Sequence, residues 1–419
     1  MDLRNEAKKL ILQNYEATGE KYICPSWPHY KAQWLWDSCF HAIICAELGM
    51  ANLAKNEIEQ LLRWQRKDGW IPHMIYNEKP LSFFSGIERF LFKKREGKFH
   101  SSHTQPPIMA QAVEEIQDAE WARKILPHLA DFYIYFAEKQ DPDQDGIISI
   151  CHPCESGRDT SPEFDFFGWK TKEDNLSRFS GMIGYHFSIL KLEWEYKKLD
   201  WNIQKIWQKD LFNVEDLMFH CLWIDGLRSL IRLWIACERN EWTLQQLKRL
   251  ADRAEEAVYR LCWDEKDKIF YSLDSKNQKI KQLTISNLFP LILDNIPVEM
   301  HQALVYEHLV NPNEFWTEYP IPSAAVNGPA FDPGSEYYCN WRGPVWISMN
   351  YFIIKGLVKH GYLNIAEEIA QKSWAMLRKE GFWEFYNPLT GKGLRKATRN
   401  LGWSALPITF LKILKRENK

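Results

Sequence analysis

Residues 214 to 239 read VEDLMFHCLWIDGLRSLIRLWIACER, with apolar side chains at three- and four-residue spacing. That spacing predicts an α-helix. The apolar positions leave only a narrow polar stripe, which is the pattern of a helix buried on most of its sides. The positions that carry this pattern are Leu217, Leu222, Ile224, Leu230, Leu233 and Ile235. The chain therefore contains a helix that lies inside the fold.

The same periodicity predicts about twelve helices along the chain. They cover residues 3–16, 36–49, 51–67, 106–118, 120–139, 180–197, 214–238, 243–261, 298–309, 343–359, 362–379 and 402–415. Strand signals are short and few, at residues 146–150 and 268–273, each beside a turn. Helices of similar length joined by alternating short and long connections suggest antiparallel hairpins. Six such pairs closed into a ring predict an all-α fold, an (α/α)6 toroid.

No Gly/Ser-rich or Pro-rich linker divides the chain, so we expect a single domain over residues 1–419. The longer connections, residues 68–105, 141–179 and 310–342, are expected to form loops at one mouth of the toroid. Tryptophan, proline, glycine and acidic residues accumulate in these loops.

Composition excludes several classes of function. The formal net charge of −2 gives no electrostatic footprint for nucleic acid or for an anionic membrane. The sequence has no apolar run of about 18 residues, and its first residues alternate in charge, so we expect a soluble, cytoplasmic protein. Nine cysteines, an odd number, do not suggest a disulfide framework, and reduced thiols are expected.

The segment Cys154–Asp165, called the acidic loop below, is the strongest candidate for chemistry. It holds Glu155, Asp159, Glu163 and Asp165, interrupted by Gly, Ser and Pro that disfavour a continuous helix. An acid in a loop is most often solvated, and a tryptophan is most often core. The chain has 20 tryptophans, however, and several directly flank acids. Because indole rings stack on sugar rings and carboxylic acids donate protons to glycosidic oxygens, the combination indicates a carbohydrate site.

Two other patterns carry weaker alternatives. Cys151 and Cys154 have redox-motif spacing but lack the strand and helix context of a redox site, and the sequence has no second CxxC to complete a zinc site. The turn at residues 141–146 opens like a calcium-binding loop, but His152 stands at its twelfth position, so an acidic cap is favoured. We expect neither a metal nor a cofactor.

Five segments together resemble glycoside hydrolase family 63, the (α/α)6 inverting α-glycosidases, and more distantly the trehalases. They occur in the order that the family shows and span most of the chain. The length resembles that of the bacterial branch containing mannosylglycerate and glucosylglycerate hydrolases. The segments are WLWDS at 34–38, TQPP at 104–107, ESGRDTSP at 155–162, WRGPVW at 341–346 and WEFYNPLTG at 383–391.

The resemblance implies that Asp159 is the general acid and Glu384 the general base. It implies a small α-glucoside or α-mannoside as substrate, with glucosylglycerate and mannosylglycerate as candidates. Residues 90–98 contain Lys93, Lys94 and Arg95, which could fold over the pocket and pair with the glycerate carboxylate, or could form a solvated basic loop. The predicted substrate-binding residues are Trp36, Asp37, Gln105, Glu155, Gly157, Trp341, Arg342, Tyr386 and Trp403.

The chemistry of acetal hydrolysis suits such a pair of acids. Inversion needs a protonated carboxyl at the leaving oxygen and an ionised one, about 6.5–9.5 Å away, that activates water on the opposite face of the sugar. Burial and the neighbouring acids would raise the pKa of Asp159, whereas Arg158 would lower it. The sequence leaves that balance open.

Three alternatives remain. One is an α-glucosidase of neutral disaccharides or oligosaccharides. A second is a sugar epimerase or isomerase on the same toroid, which would use histidines such as His73, His103 and His152. A third is a sugar-binding protein without catalysis. The oligomeric state is left open by the sequence.

Overall fold

The computed structural model describes residues 2–76, 93–95, 98–168, 178–334 and 339–415. Helices dominate these residues. The α-helices are α1 Leu3–Glu16, α2 Leu35–Glu47, α3 Ala51–Leu62, α4 Met109–Ile116, α5 Ala119–Lys139, α6 Arg178–Lys198, α7 Ile203–Lys209, α8 Leu217–Ala236, α9 Glu241–Ala257, α10 Val298–Ala303, α11 Ile347–Lys359, α12 Leu363–Glu380 and α13 Phe410–Leu414.

Six helical segments form a closed inner ring. Going round it, α2 packs on α4, α4 on α8, and α8 on the 3₁₀ segment Ile285–Ile292. That segment packs on α11, α11 on the 3₁₀ segment Gly402–Thr409, and this last segment returns to α2. Each inner segment therefore shields its two neighbours from water.

The outer layer is formed by α1, α3, α5, α9, α10 and α12. α3 packs on α2, α5 and α9 pack on α8, α12 packs on α11, and α1 packs on the segment Gly402–Thr409. The π-helical turn Leu304–Leu309, which continues α10, contacts the segment Ile285–Ile292. Six inner and six outer segments make an (α/α)6 toroid, and the predicted fold class is confirmed.

The helix α8 lies in the core, as its sequence predicts. Leu217, Leu222 and Leu230 are fully buried, and the helix is exposed mainly toward its C-terminal end, at Arg232 and Ile235. At Gly226 a methyl group would lie 2.3 Å from the ring of Tyr133 in α5, so the small residue allows the two helices to approach closely.

The N-terminal ends of the inner segments point to one mouth of the ring. Trp34, Trp346 and Leu401 each immediately precede an inner segment, and all three line the same cavity. α8 and the segment Ile285–Ile292 begin at the caps Asp216 and Thr284, whose side chains bond to residues of the acidic loop. The backbone N–H groups at these ends carry partial positive charge, which favours acidic groups at this mouth.

The strands are short and lie between the helices. The strands are β1 Gln33–Trp34, β2 Met74–Tyr76, β3 Lys93–Arg95, β4 Lys98–His100, β5 Val214–Glu215, β6 Trp263–Asp264, β7 Ile269–Phe270 and β8 Leu273–Asp274. β1 to β4 form an antiparallel sheet in the order β1-β2-β4-β3, next to the start of α2.

One member of the ring differs from the prediction. The segment Ile285–Ile292, which periodicity did not identify, takes an inner position, and the predicted helix at 180–197 is instead α6, outside the ring. α6 contacts the acidic loop, where Tyr185 donates a hydrogen bond to the carbonyl of Asp159. Pro290 explains the omission, because proline cannot donate the backbone hydrogen bond of a regular helix.

Several predicted boundaries also move. The helix predicted at 343–359 begins at Ile347, and the one predicted at 402–415 divides into a 3₁₀ segment and α13. Residues 146–150 are irregular and pair with the rest of the fold through a bridge between Ile150 and Val214. Across the described residues, no helix has the length and hydropathy needed to cross a bilayer.

Candidate active site

Asp159 and Glu384, which lie 225 positions apart in sequence (384 − 159), line one cavity at the mouth of the toroid. We call it the central cavity. Six of its fourteen described lining residues lie just before, or in the first turn of, an inner segment. The other described lining residues are Pro25, Tyr30, Trp34, Trp36, Asp37, Gln105, Gly157, Cys339, Trp341, Trp346, Leu401 and Trp403.

The carboxyl of Asp159 projects from the acidic loop into the central cavity. Burial raises its pKa to about 7, and the nearby charge of Glu384 acts in the same direction. A backbone N–H donor and, more weakly, the thiol of Cys154 oppose the rise. Asp159 can therefore hold a proton near neutral pH.

Arg158 does not neutralise Asp159, because its guanidinium points away from the cavity. It donates to Glu163, and at 2.6 Å to Oδ2 of Asp216, the cap of α8. Burial alone would raise the pKa of Glu163, but Arg158 and three hydroxyl donors outweigh burial and lower it. The sequence left open whether Arg158 or burial dominates the pKa of Asp159. Because the guanidinium pairs with Glu163 and Asp216 instead, burial dominates and the pKa of Asp159 is raised.

Glu384 is nearly fully buried and accepts two hydrogen bonds. The hydroxyl of Tyr30 donates to Oε1 at 3.0 Å, and the backbone N–H of Thr398 donates to Oε2 at 2.9 Å. Burial raises the pKa of Glu384 to about 7 despite these two donors. The carboxyl is held in place by the paired backbone, since its own N–H donates to the carbonyl of Thr398 at 2.8 Å.

The charge of Glu384 raises the pKa of Asp159, so ionisation of Glu384 favours protonation of Asp159. Both carboxyls have a backbone N–H donor. Glu384 in addition accepts from the hydroxyl of Tyr30, whereas the side-chain donor of Asp159 is the weaker thiol of Cys154. The arrangement favours a protonated Asp159 and an ionised Glu384, which is the distribution that acid and base catalysis requires.

Tryptophans form the walls of the central cavity. Trp341 and Trp346 are stacked with ring centroids 3.8 Å apart, and Trp36 meets Trp403 edge to face at 5.1 Å. The indole nitrogens of Trp34 and Trp403 are buried and have no hydrogen-bond partner among the described residues. A sugar would offer both a ring face and acceptor oxygens to such walls.

Gly157 and Gln105 shape the wall around Trp36. Gly157 has a φ of +69°, and a methyl group there would lie 2.5 Å from the indole of Trp36. The side-chain oxygen of Gln105 accepts from the backbone N–H of Trp36 at 3.3 Å. Asp37, in the first turn of α2, has a strongly raised pKa because it is buried and lies near Glu384.

Glu155 was predicted to contact the substrate, but it does not line the central cavity. Its Oε2 accepts from the N–H of Cys151 at 2.8 Å, and its Oε1 accepts from the N–H of Thr104 at 3.2 Å. The contact with Thr104 fixes the start of the acidic loop against the segment that contains Gln105, and the contact with Cys151 fixes it against the residues that precede the loop. Its role in the structure is to position that loop.

Arg342 and Tyr386 also lie outside the lining of the central cavity. Arg342 makes two parallel bonds of 2.6 and 2.7 Å to Asp165, which ties the end of the acidic loop to the segment before α11. The hydroxyl of Tyr386 donates to the carbonyl of Gly381 at 2.6 Å and accepts from the N–H of Trp383 at 2.9 Å. These side chains are occupied in holding the two acid-bearing segments.

Sequence reasoning missed several lining residues. Tyr30, which bonds Glu384, and Cys339, whose Sγ lies 3.6 Å from the hydroxyl of Tyr30, stand outside the five segments of the resemblance. Trp34 and Trp346 lie within those segments but were not singled out. The aromatic run from Trp27 to Trp36 could have identified Tyr30 and Trp34.

The three histidines of the epimerase alternative form a stack beside the cavity. The ring centroids of His73 and His103 are 4.6 Å apart, and those of His103 and His152 are 4.4 Å apart. Burial lowers the pKa of His103 to about 3 and those of His73 and His152 well below 6.5. None of the three lines the central cavity, so they do not face a bound sugar as an epimerase requires.

The two groups of residues considered as metal sites can also be located in the structure. Nitrogens of His103 and His152 and Sγ of Cys154 lie within 4.8 Å of one another, but the two rings are stacked within 11° of parallel. Their lone pairs, which lie in the ring planes, do not converge on a common point.

Asp141, Asp143 and Asp145 bring three carboxylate oxygens within 4.8 Å, and Asp145 caps the N–H of Ile147 at 2.8 Å.

The predicted basic lid falls partly outside the described residues, which omit 90–92 and 96–97. Lys93, Lys94 and Arg95 form β3. Lys93 and Arg95 line a different cavity, and the ammonium of Lys94 lies 5.9 Å from the ring of Phe99. None of the three therefore reaches the central cavity.

Known proteins share both the sequence pattern and the fold. Residues 30–404 match the family model described as the mannosylglycerate hydrolase MGH1-like glycoside hydrolase domain. The chain belongs to this family. As a member of the MGH1-like glycoside hydrolases, which are part of glycoside hydrolase family 63, it is a glycoside hydrolase, and the predicted resemblance is confirmed.

Its relatives within this family match along nearly their whole length. The mannosylglycerate hydrolase of one Thermus thermophilus strain is 26% identical over 93% of this chain and 96% of the relative. The glucosylglycerate hydrolase of Mycolicibacterium hassiacum is 24% identical over 90% and 91%. The crystal structure of the mannosylglycerate hydrolase of another T. thermophilus strain, with Tris and D-glycerate, has 26% identity and a TM-score of 0.85, covering 98% of this chain and 100% of that one.

Proposed function

We propose that this glycoside hydrolase is an inverting α-glycosidase that cleaves mannosylglycerate or glucosylglycerate. Asp159 acts as general acid and Glu384 as general base. The observation that carries the proposal is the placement of these two carboxyls in one tryptophan-walled cavity with unequal hydrogen-bond donors.

Asp159 and Glu384 together account for both proton transfers of the proposed reaction. Asp159 donates its proton to the glycosidic oxygen as the bond from that oxygen to the anomeric carbon breaks. Glu384 takes a proton from the water that attacks the same carbon from the opposite face, so the configuration inverts. Free sugar and the free aglycone leave. Asp159 is then ionised and Glu384 protonated, and exchange with solvent restores the starting state.

The walls support binding of a pyranose ring. The faces of Trp341 and Trp36 offer apolar surface, and the unpartnered indole N–H groups of Trp34 and Trp403 offer two donors to sugar oxygens. Asp37, beside Glu384 at the start of α2, offers a carboxyl to ring hydroxyls. An acceptor at either indole would remove the cost of a buried, unsatisfied donor, about 1–3 kcal/mol.

The aglycone is assigned from the relatives. Two of them are named for the hydrolysis of glycerate glycosides, and a related crystal structure holds D-glycerate. A small aglycone suits a site formed by the loops of one mouth. The similarity of this chain to mannosylglycerate hydrolases and to a glucosylglycerate hydrolase leaves both sugars as candidates.

One observation favours a second candidate, an α-glucosidase of neutral disaccharides. Among the residues that the structure describes, no lysine or arginine lines the central cavity. A carboxylate is most strongly bound by a guanidinium or an ammonium group. A neutral aglycone would need no such partner.

A substrate panel separates the two candidates. We expect release of free sugar from mannosylglycerate or glucosylglycerate, with a kcat/KM at least tenfold above those for trehalose, kojibiose and nigerose. Cleavage of the neutral disaccharides alone would contradict the glycerate assignment and favour the second candidate. An epimer or ketose product without hydrolysis would contradict both.

A further inference from the structure

A second cavity, of about 210 Å³, lies beside the sheet β1 to β4 and shares no lining residue with the central cavity. We call it the basic cavity. It is lined by three cations, Arg66, Lys93 and Arg95, and by the indole rings of Trp64, Trp70 and Trp201.

A row of packed aromatic rings separates the two cavities. Trp34, in the wall of the central cavity, meets His73 at 4.6 Å, and His73 stacks on His103 at 4.6 Å. His103 in turn lies 6.4 Å from Trp201, in the wall of the basic cavity. A ligand in the basic cavity would therefore occupy a site of its own.

The three cations converge on His100, which also lines the basic cavity. Burial lowers the pKa of His100 most, and Lys93, Arg95 and Arg66 each lower it further. The guanidinium of Arg95 lies 5.7 Å from the ring of Trp64, and that of Arg66 lies 4.8 Å from the ring of Trp70. The side chains of Arg66 and Lys93 are 46% and 41% exposed, so the positive charge lies over aromatic walls at the solvent-accessible edge of the cavity.

Carboxylates from outside this lining accompany Arg66 and Lys93. Asp68 pairs with Arg66 through Nε and Oδ1 at 2.9 Å, and Asp200 lies 3.4 Å from Nζ of Lys93. Asp200 is 95% exposed, so its charge is largely screened by solvent. No acidic residue is among the described residues that line the basic cavity, and positive charge therefore predominates there.

Two polar atoms in the wall lack partners. Oγ of Ser102 and Nε1 of Trp201 are buried and have no hydrogen-bond partner among the described residues. Both residues also line an adjoining cavity of about 200 Å³, which shares Arg66 and Trp70 with the basic cavity. An oxygen of a ligand could accept from either donor.

We propose that the basic cavity binds a small organic oxyanion, a carboxylate or a phosphate monoester on a short polar carbon skeleton. At about 30 Å³ for each water, a cavity of this size holds about seven waters, so a ligand of about seven non-hydrogen atoms fits it. The oxyanion takes the place beside Lys93, Arg95 and His100, and the skeleton lies against the indole rings. This site does not depend on the proposed hydrolysis.

The pKa of His100 reports whether a ligand binds in the basic cavity. An oxyanion beside the imidazole opposes the three cations, so binding raises the pKa of His100. The experiment follows the imidazole signals of the full chain by NMR across pH, with the His100 signal identified by its loss in His100→Gln. Inorganic phosphate and D-glycerate are the two probes, and sodium chloride at equal ionic strength is the reference.

We expect a saturable rise in the pKa of His100 with phosphate, with D-glycerate or with both, and the probe that acts identifies the ligand as a phosphate or a carboxylate. Lys93→Gln and Arg95→Gln should each weaken binding about tenfold, as loss of a partly solvated charged donor does. Lys94→Gln is the matched control, because Lys94 lies between them on the other face of β3 and does not line the cavity.

Three results would overturn the proposal. One is the absence of any saturable change with either probe at concentrations up to about a thousandfold above that of the protein. Another is an equal change with sodium chloride, which would indicate screening alone. The third is equal weakening by Lys94→Gln and Arg95→Gln, which would indicate surface charge without a built site.

Discussion

The two segments that carry the acids are held in place by different means. The acidic loop, with Asp159, is fixed by charged side chains: Arg158 to Asp216, and Arg342 to Asp165. The segment 383–399, with Glu384, is fixed by backbone pairs, Trp383 with Arg399, Tyr386 with Gly393, and Tyr386 with Val345.

This difference extends to the acids themselves. Within the acidic loop, Glu163 and Asp165 pair with guanidinium groups and Glu155 accepts from backbone N–H groups, whereas Asp159 has a backbone N–H and the thiol of Cys154. Glu384 accepts from a backbone N–H and from the hydroxyl of Tyr30. The stronger side-chain donor at Glu384 favours its ionised form relative to that of Asp159 and so separates base from acid.

The largest expected effect is on turnover, when either acid is replaced by its amide. Asp159→Asn and Glu384→Gln should each lower kcat by about 10²- to 10⁴-fold, because each acid acts in the transition state. KM should change much less. Steady-state kinetics on the active glycoside checks this, and Asp165→Asn is the comparison within the same loop. Near-normal turnover in Asp159→Asn, with loss in Asp165→Asn, would show that the acid was assigned to the wrong residue.

The next effect is on stability and tests how the acidic loop is held. Arg158→Met leaves two buried carboxylates, Glu163 and Asp216, without their cation, and should lower the free energy of unfolding by about 3–5 kcal/mol. Arg232→Met removes a comparable pair with Glu114 at the surface and should cost no more than about 1 kcal/mol.

Urea denaturation of both variants measures the difference. If Arg158→Met does not fold, adding Asp216→Asn should restore part of the lost stability, because it removes one of the uncompensated charges. Equal effects of Arg158→Met and Arg232→Met would show that the buried pairs do not hold the loop.

The smallest effect is on pH dependence and tests the donors of Glu384. The general base must be ionised, so activity falls as the pH drops below its pKa. Tyr30→Phe removes the hydroxyl that stabilises the ionised form, and the acidic limb of the kcat/KM profile should move up by about one to two pH units. Tyr306→Phe, at an exposed outer position, is the control. An unmoved acidic limb would show that Tyr30 does not tune the base.

The ring was predictable because its helices have strong apolar periodicity, as α8 illustrates. The inner segment Ile285–Ile292 was not predictable in this way. Pro290 interrupts the helical pattern, and burial on all sides leaves no polar stripe. The helix α6 was predicted as an element, but periodicity contains no information on which helices belong to the ring.

A residue of the site was predictable where it belongs to a family motif, as for Asp159 and Trp36. A residue was not predictable where the direction of its side chain decides whether it faces the cavity. Arg158 is adjacent to Asp159 in sequence, yet its guanidinium serves Asp216. Arg342 lies beside a lining tryptophan but points to the acidic loop. Neighbours in sequence share a segment, but only the fold determines which of them face the cavity.

The most direct test of the central claim is the configuration of the first sugar released. Because Glu384 activates water on the face opposite the leaving group, an α-glycoside should yield the β-anomer first, followed by slow mutarotation. One-dimensional ¹H NMR of the anomeric signals in the first minutes of reaction measures this. Early β-anomer is the result that the proposed roles of Asp159 and Glu384 predict, and early α-anomer would contradict them.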